Sequence, residues 1–196
     1  LTKAQVAALS AATALVRQAV GIPVGSDASF NDCEASLGIA VANGCDFVRV
    51  PVFVDTVSNW CGVVNPCAHK VIELRHHLGA DDVMLLCDVQ VKHSSMLLPQ
   101  VSIEESAANA EAAGADAIIV TGTTTGEETP IDMIRRVKSV VDLPVLAGSG
   151  ISPTDVVEQF KVADGAIVGS TFKKGGLTTN PVDYDLVRTL MRPLGR

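Results

Sequence analysis

One unit recurs along this chain: a short β-branched run, a polar loop rich in Gly, Ser, Thr or Asn, then an amphipathic stretch that closes on Gly. The runs are Ile22–Gly25, Asp46–Val54, Asp82–Val91, Ala115–Thr121, Pro144–Gly148 and Gly165–Gly169. Strands apolar on both faces and separated by helices of about 10–15 residues predict a parallel sheet covered by helices. Two architectures satisfy that pattern, a doubly wound open sheet and a (β/α)8 barrel. Polar residues close almost every run, which favours the barrel, because there all strand ends converge on one mouth.

The count of runs is six rather than eight, and the chain opens on a helix. Thr2 and Gln5 form a capping box, and Val6, Leu9, Thr13, Val16 and Val20 share one helical face. The expectation is therefore a single α/β domain over residues 1–196, a (TIM) barrel whose first two strands lie upstream, so that the visible runs are strands three to eight. Such a sheet exposes strand edges, which invites pairing with another chain or a homo-oligomer. Further helix starts are expected at Ser102 with Glu105, Thr129 with Pro130 and Asp132, Ser152 with Pro153 and Asp155, and Asn180 with Pro181 and Asp183. Gly44, Gly79 and Gly114 each close a helix ahead of a strand, as a left-handed cap requires.

Composition narrows the class of partner. With 196 residues, 47% hydrophobic and 19% charged, the chain has ample material for a core. Its net charge of −7 is scattered, without the basic footprint of a nucleic-acid binder or a polybasic membrane anchor. No apolar run approaches the roughly 20 residues of a membrane span. The first residues lack the basic-then-apolar layout of a secretion signal. A soluble, intracellular protein with a small-molecule partner is expected. The five cysteines form no tight C-x-x-C pair, consistent with reduced thiols. Cys61, Cys67 and His69 match no strong zinc spacing, so no metal is assigned, and no cofactor is specified.

The strongest chemical signal is Val145-Leu-Ala-Gly148-Ser149-Gly150, followed by Ala163-Asp-Gly-Ala-Ile-Val-Gly169-Ser170. Glycines directly after the last two strands leave backbone N–H groups uncovered, which is how a barrel grips phosphate. The pair looks like the grip of phosphate-binding barrels such as the tryptophan synthase α subunit. Gly148, Ser149, Gly150, Gly169 and Ser170 would carry it, with charge added by Lys173; the alternative is that the glycines only make tight turns.

Arg49 interrupts an apolar run and needs either a ligand anion or an internal carboxylate, with Asp27, Asp46 and Asp88 as candidates. In "LLCDVQVKH" alternation places Asp88, Gln90 and Lys92 on one face, with Asp88 and Lys92 as candidate acid/base groups. A Lys92 among apolar walls and near Arg49 would have a lowered pKa suited to general-base or Schiff-base chemistry. The competing reading is a Lys–Asp pair that closes the barrel top. The run ending Thr121-Gly122-Thr123-Thr124-Thr125-Gly126-Glu127 offers hydroxyls to a polar ligand, or simply a turn.

Taken together, Cys45-Asp-Phe-Val-Arg-Val50, Asp88-Val-Gln-Val-Lys92-His93, Ala117-Ile-Ile-Val-Thr-Gly122, Leu146-Ala-Gly-Ser-Gly150, Ala163–Gly169, Phe172-Lys173 and Asn180-Pro-Val-Asp183 resemble the BtpA family, which includes the SgcQ-type proteins. The resemblance implies a (β/α)8 barrel with two strands ahead of this chain's first residue. In photosynthetic organisms it implies a role in photosystem I biogenesis, with a photosystem or thylakoid-associated partner and a location in the cytoplasm, plastid stroma or thylakoid periphery. Relatives elsewhere have no settled activity. This chain departs from the family pattern at Asp27–Asp32, where Asn-Val-Leu-Arg-Asn-Asp is usual, and at Arg49-Val50-Pro51, where Arg-Val-Asn is usual. Two functions are thus expected to compete: a phosphate-ligand barrel, with a lyase or isomerase of phosphorylated metabolites as its enzymatic alternative, and a non-catalytic assembly scaffold with an apolar patch around Val57–Trp60.

Overall fold

A computed structural model describes residues 1–122 and 129–195. In chain order the elements are α1 (Lys3–Ala19), β1 (Gly25–Ser26), α2 (Cys33–Asn43), β2 (Phe47–Val50), β3 (Val57–Asn59), β4 (Gly62–Val64), α3 (Ala68–His77), β5 (Met84–Val89), β6 (Ser95–Met96), α4 (Ile103–Ala112), β7 (Ala117–Val120), α5 (Ile131–Lys138), β8 (Val145–Ala147), α6 (Val156–Gln159), β9 (Gly165–Ala166) and α7 (Tyr184–Met191). Six strands form one sheet in the order β1-β2-β5-β7-β8-β9, and every neighbouring pair is parallel. Each of the six expected runs supplies one of these strands.

Alternation along the strands sorts their side chains into two layers. Val48, Val50, Leu85, Cys87, Val89, Ile118, Val120, Val145 and Ala147 turn outward and are buried with Leu37, Val71, Ala107, Ile134 and Val156 of the helices. Phe47, Arg49, Leu86, Ile119 and Leu146 turn inward. With Gly25 and Gly165 from the two end strands they line one concave cavity of about 520 Å³. The sheet is therefore curled into six strands of a barrel and open between β1 and β9.

A repeated device sets the register. Asp46, Asp116 and Asp164 each stand one residue ahead of a strand and bracket the preceding run in sequence. Their N–H groups donate to the carbonyls of Val24, Leu85 and Val145, and their carboxylates accept from the N–H groups of the same three residues, each at 2.8 Å. The carboxylate thus satisfies a strand-entry donor that the ladder leaves over. Asp46 is occupied in this way and is not the partner of Arg49.

Helix ends follow the expected chemistry at most positions. Thr2 and Gln5 exchange both bonds of a capping box, Ser102 accepts from the Glu105 N–H, and Gly44 closes α2 at φ 61°. Three starts differ. Thr129 caps nothing: it is buried, and its hydroxyl donates to the carbonyls of Val120 and Ser149. Ser152 precedes only the single-turn α6 and bonds to Asp155. The last helix is capped by Asp183 rather than Asn180. For Thr129 the cause is that a hydroxyl beside a strand end finds an orphan carbonyl as readily as a helix N–H.

Gly148 lies against β7 so closely that a Cβ would sit 2.5 Å from Thr121 Cγ2 and 2.8 Å from Ile119 Cγ2. At Gly169 the same atom would meet nothing within 4 Å. Gly148→Ala should therefore cost about 1–3 kcal/mol by overpacking, and Gly169→Ala no more than about 0.5 kcal/mol. Urea unfolding of the two variants checks the difference; equal midpoints would contradict this packing.

Candidate functional site

The chemistry gathers at the carboxyl end of the sheet, around Arg49 and Asp88. Arg49 Nε and Nη2 donate to the two oxygens of Asp88, each at 2.8 Å, and Nη1 stands 3.9 Å from Asp27. The Asp88 side chain is fully buried, whereas Asp27 is 42% exposed. Burial raises the Asp88 carboxyl above its usual range, against the pull of the Arg49 hydrogen bonds. For Arg49 burial favours the neutral form, but the Asp88 bonds and charge outweigh it and raise the guanidinium further. Asp88 is thus committed to Arg49. The carboxylate that faces open space is Asp27, which burial also raises while Arg49 opposes.

The expected shared face of Asp88, Gln90 and Lys92 breaks at its middle residue. β5 ends at Val89, and Gln90 adopts φ 47°. Its carboxamide donates to the Val101 carbonyl and the Ser106 hydroxyl, toward α4, and its N–H donates to Asp55 at 2.7 Å. Asp55 is itself buried and accepts from Ser106. This buried carboxylate holds the left-handed turn that ends the strand. Alternation could not predict that turn.

Beyond the turn, Lys92 is half-buried, and its N–H donates to the Thr121 hydroxyl at 2.9 Å. With Asp27, Arg49, Trp60, Val91 and His93 it lines a cavity of about 230 Å³. Burial lowers the Lys92 amine, Arg49 lowers it further, and Asp88 opposes both. Burial and Arg49 thus act on Lys92 in the direction expected from the sequence.

The glycine turns after β8 and β9 stand at the same end. Gly148 donates its N–H to Val120 at 2.7 Å, and the Ser149 hydroxyl accepts from the Gly122 N–H at 3.1 Å. Thr121, Gly122, Gly148 and Ser149 thereby tie the ends of β5, β7 and β8 into one arc. Gly150, at φ 69°, turns the chain away. The Thr171 hydroxyl donates to the Ile151 carbonyl at 2.6 Å, so the turn carrying Gly169 and Ser170 sits against the turn carrying Gly150. Lys173 points elsewhere, donating to the Thr178 carbonyl of its own loop. Residues 123–128, with the hydroxyls of Thr123, Thr124 and Thr125, lie outside the described residues.

A small antiparallel sheet of order β4-β3-β6 stands over this mouth, built from the connections after β2 and β5. Val52, Val57 and Val91 form a second core beneath it, packed with Phe30, Val64 and Met96. Trp60, on the β3–β4 turn, is 85% exposed yet lines the Lys92 cavity. Asp55 and the covering sheet were not picked out from the sequence as parts of a site, whereas Asp27 was named as a candidate partner of Arg49; the only signal for Asp55 was its place closing the apolar run Val50–Val54. Cys61 is exposed on the same turn, while Cys67 is buried with its thiol on the Val52 carbonyl. No described helix is long and apolar enough to cross a membrane.

Six parallel strands with helices outside and the polar groups at the carboxyl ends define a TIM-barrel-type α/β protein. The chain belongs to the BtpA family, whose pattern it matches over residues 1–196. It is 34% identical over 186 residues to an uncharacterized protein of Pyrococcus abyssi, covering 94% of this chain and 70% of that one. It is 32% identical over 174 residues to the sgc region protein SgcQ of Escherichia coli K12, covering 88% of this chain and 64% of that one. Among solved structures it is similar to thiamine phosphate pyrophosphorylase of Pyrococcus furiosus, with TM-score 0.66 and 16% identity, covering 97% of this chain and 77% of that one. It is also similar to N-(5'-phosphoribosyl)anthranilate isomerase of the same organism, with TM-score 0.61 and 17% identity, covering 93% and 78%.

Removing one partner of the central pair leaves the other buried and uncompensated. Asp88→Ala should therefore destabilise the protein by about 3–5 kcal/mol, and Arg49→Met with Asp88→Leu together by clearly less. Denaturant unfolding of the single and double variants tests this. A double variant that loses as much as Asp88→Ala would show that the cost is not an unpaired charge.

Proposed function

We propose that this protein binds a phosphorylated small molecule at the carboxyl end of its barrel strands. The phosphate sits at the paired turns of Gly150 and Gly169–Ser170, and the rest of the ligand extends toward Arg49 and Lys92. The observation that carries this reading is the junction of the two turns through Thr171 and Ile151, with open space where a Gly169 side chain would stand. Backbone N–H groups unshielded by side chains suit an anion. The names of the two similar barrels, a thiamine phosphate pyrophosphorylase and a phosphoribosylanthranilate isomerase, support a phosphorylated ligand in the same kind of fold. Gly148, Thr121, Gly122 and Ser149 serve as the frame of this grip, because their hydrogen bonds hold the strand ends together.

The narrower reading, a part in photosystem I biogenesis with a thylakoid partner, describes at most some members. Relatives in a Pyrococcus and in Escherichia coli carry the family beyond photosynthetic organisms. A scaffold reading draws on the exposed Trp60 and Val63 of the covering sheet. The two readings part on whether a small phosphorylated ligand is held at all.

Thermal melts with inorganic phosphate, ribose 5-phosphate and glycerol 3-phosphate, each against ribose and glycerol, test the proposal. At about 100 times its Kd a ligand adds about 2.7 kcal/mol, which raises Tm by about 5–10 °C for a chain of this size. Trp60 is the only tryptophan in the chain and lines the adjoining cavity, so its emission should change with binding. Gly169→Asp, which places a carboxylate in open space, should fold and lose the shift. No shift with any phosphate, or an equal shift in Gly169→Asp, would remove this reading.

A further inference from the structure

Lys92 differs from the other lysines in its surroundings, for Lys3 is exposed and the remaining five are held by a partner. Lys70 pairs with Glu34 at 3.2 Å, Lys138 with Asp164 at 2.7 Å, Lys161 with Glu158 at 2.6 Å and Lys174 with Asp183 at 3.8 Å, while Lys173 holds the Thr178 carbonyl. Among the described residues no carboxylate comes within 4 Å of Lys92 Nζ, and no side-chain hydrogen bond holds it. Its nearest charges are Arg49, which repels it, and Asp88, whose two oxygens are already taken by that guanidinium.

The position is also built. The Lys92 N–H is pinned by Thr121, and the chain leading to it is turned at Gln90 by the buried Asp55. A half-buried ammonium without a counter-ion is costly, and a neutral amine in the same place is much less so. Burial and Arg49 accordingly lower the amine's proton affinity. Asp27, on the wall of the same cavity, is moved the other way by burial and so holds a proton more readily than an ordinary carboxyl. An amine of lowered proton affinity and a carboxyl of raised proton affinity on the walls of one cavity are an arrangement for addition to a carbonyl group.

We infer that Lys92 is a covalent nucleophile that condenses with the carbonyl carbon of a small phosphorylated aldehyde or ketone, with Asp27 as the proton donor that expels water. The amine lone pair attacks the carbonyl carbon, and the π pair moves to oxygen, which takes up the proton released by the attacking nitrogen. This gives a carbinolamine. Asp27 then protonates its hydroxyl, the C–O bond breaks to release water, and the nitrogen lone pair closes a C=N bond. The result is a protonated imine on Nζ beside an ionised Asp27, with no oxidant or reductant consumed. Arg49 Nη1, turned toward Asp27 and the cavity, adds a positive charge beside the forming centre. The choice of a phosphorylated carbonyl compound rests on the phosphate reading above; the chemistry of Lys92 does not.

Borohydride trapping tests this. The protein is incubated with glyceraldehyde 3-phosphate or dihydroxyacetone phosphate, and in parallel with glyceraldehyde or dihydroxyacetone, then reduced and peptide-mapped by mass. Lys92 should be modified several-fold faster than the exposed Lys3, and Lys92→Arg should lose that adduct while keeping the wild-type Tm. Asp27→Asn should slow trapping by a factor of about 10² or more, the usual size of a general-acid contribution. Labelling of Lys92 no faster than Lys3 would overturn the inference. So would a phosphate-dependent Tm rise with no Lys92 adduct, which leaves the binding reading intact. Equal labelling of Lys92 by phosphorylated and unphosphorylated carbonyls would instead support the Lys92 chemistry and count against the phosphate grip.

Discussion

The bidentate Arg49–Asp88 pair is the constraint around which the mouth of this barrel is arranged. It joins β2 to β5 on the inner face, at the next-to-last residue of each, with the carboxylate wholly buried. A slip of one residue along β2 would turn Arg49 into the helix-facing core and Val48 into the cavity, so the pair and the apolar alternation enforce the same register. Because both oxygens of Asp88 are used, the surplus positive potential of the site falls on Lys92 rather than being cancelled there. A pair of this kind stabilises little in itself, since desolvation offsets most of the attraction. Its effect is to shift the proton affinity of its neighbours, Arg49 lowering that of Lys92 and of Asp27.

Outside that pair the site is held by a polar network rather than by packing alone. Asp55 bonds to Gln90 and Ser106, Thr121 to Lys92, Ser149 to Gly122, and Thr129 to both Val120 and Ser149. Each of these groups is buried, and each satisfies a strand-end donor or acceptor that the ladder leaves over. The hydroxyls and glycines at the strand ends thus divide into two sets. One ties the ends together, and the other, at Gly150, Gly169 and Ser170, leaves backbone open toward the mouth.

Much of the architecture was legible beforehand because it depends on local regularities. Runs of β-branched residues, glycines closing helices and the capping residues Thr2 and Ser102 act over a few residues, and all six barrel strands were located from them. The Asp46, Asp116 and Asp164 brackets were not among them, since they join residues 22, 31 and 19 positions apart in the chain. The family pattern is spread over the whole chain and was legible for that reason. The strand–turn–strand cover formed by β3, β4 and β6 was not, because its strands are short and its core, Val52, Val57 and Val91, comes from distant segments. Asp27 was legible as an acidic residue near a strand end, but not as the carboxylate that faces the cavity.

The sequence by itself determined the fold class, the number and order of its parallel strands, the end of the sheet at which polar groups collect, and the presence there of Arg49, Asp88, Lys92 and the two glycine turns. Only the tertiary structure decided how those residues divide the work. It gave Asp88 to Arg49, turned Gln90 away from the mouth, spent the Gly148 N–H on β7, and, among the described residues, left Lys92 with no carboxylate within 4 Å in a cavity that Asp27 also lines. Periodicity assigns a side chain to a face. Which of several like groups on that face pairs with which depends on contacts across 30 and more residues of chain, and those exist only once the strands lie side by side.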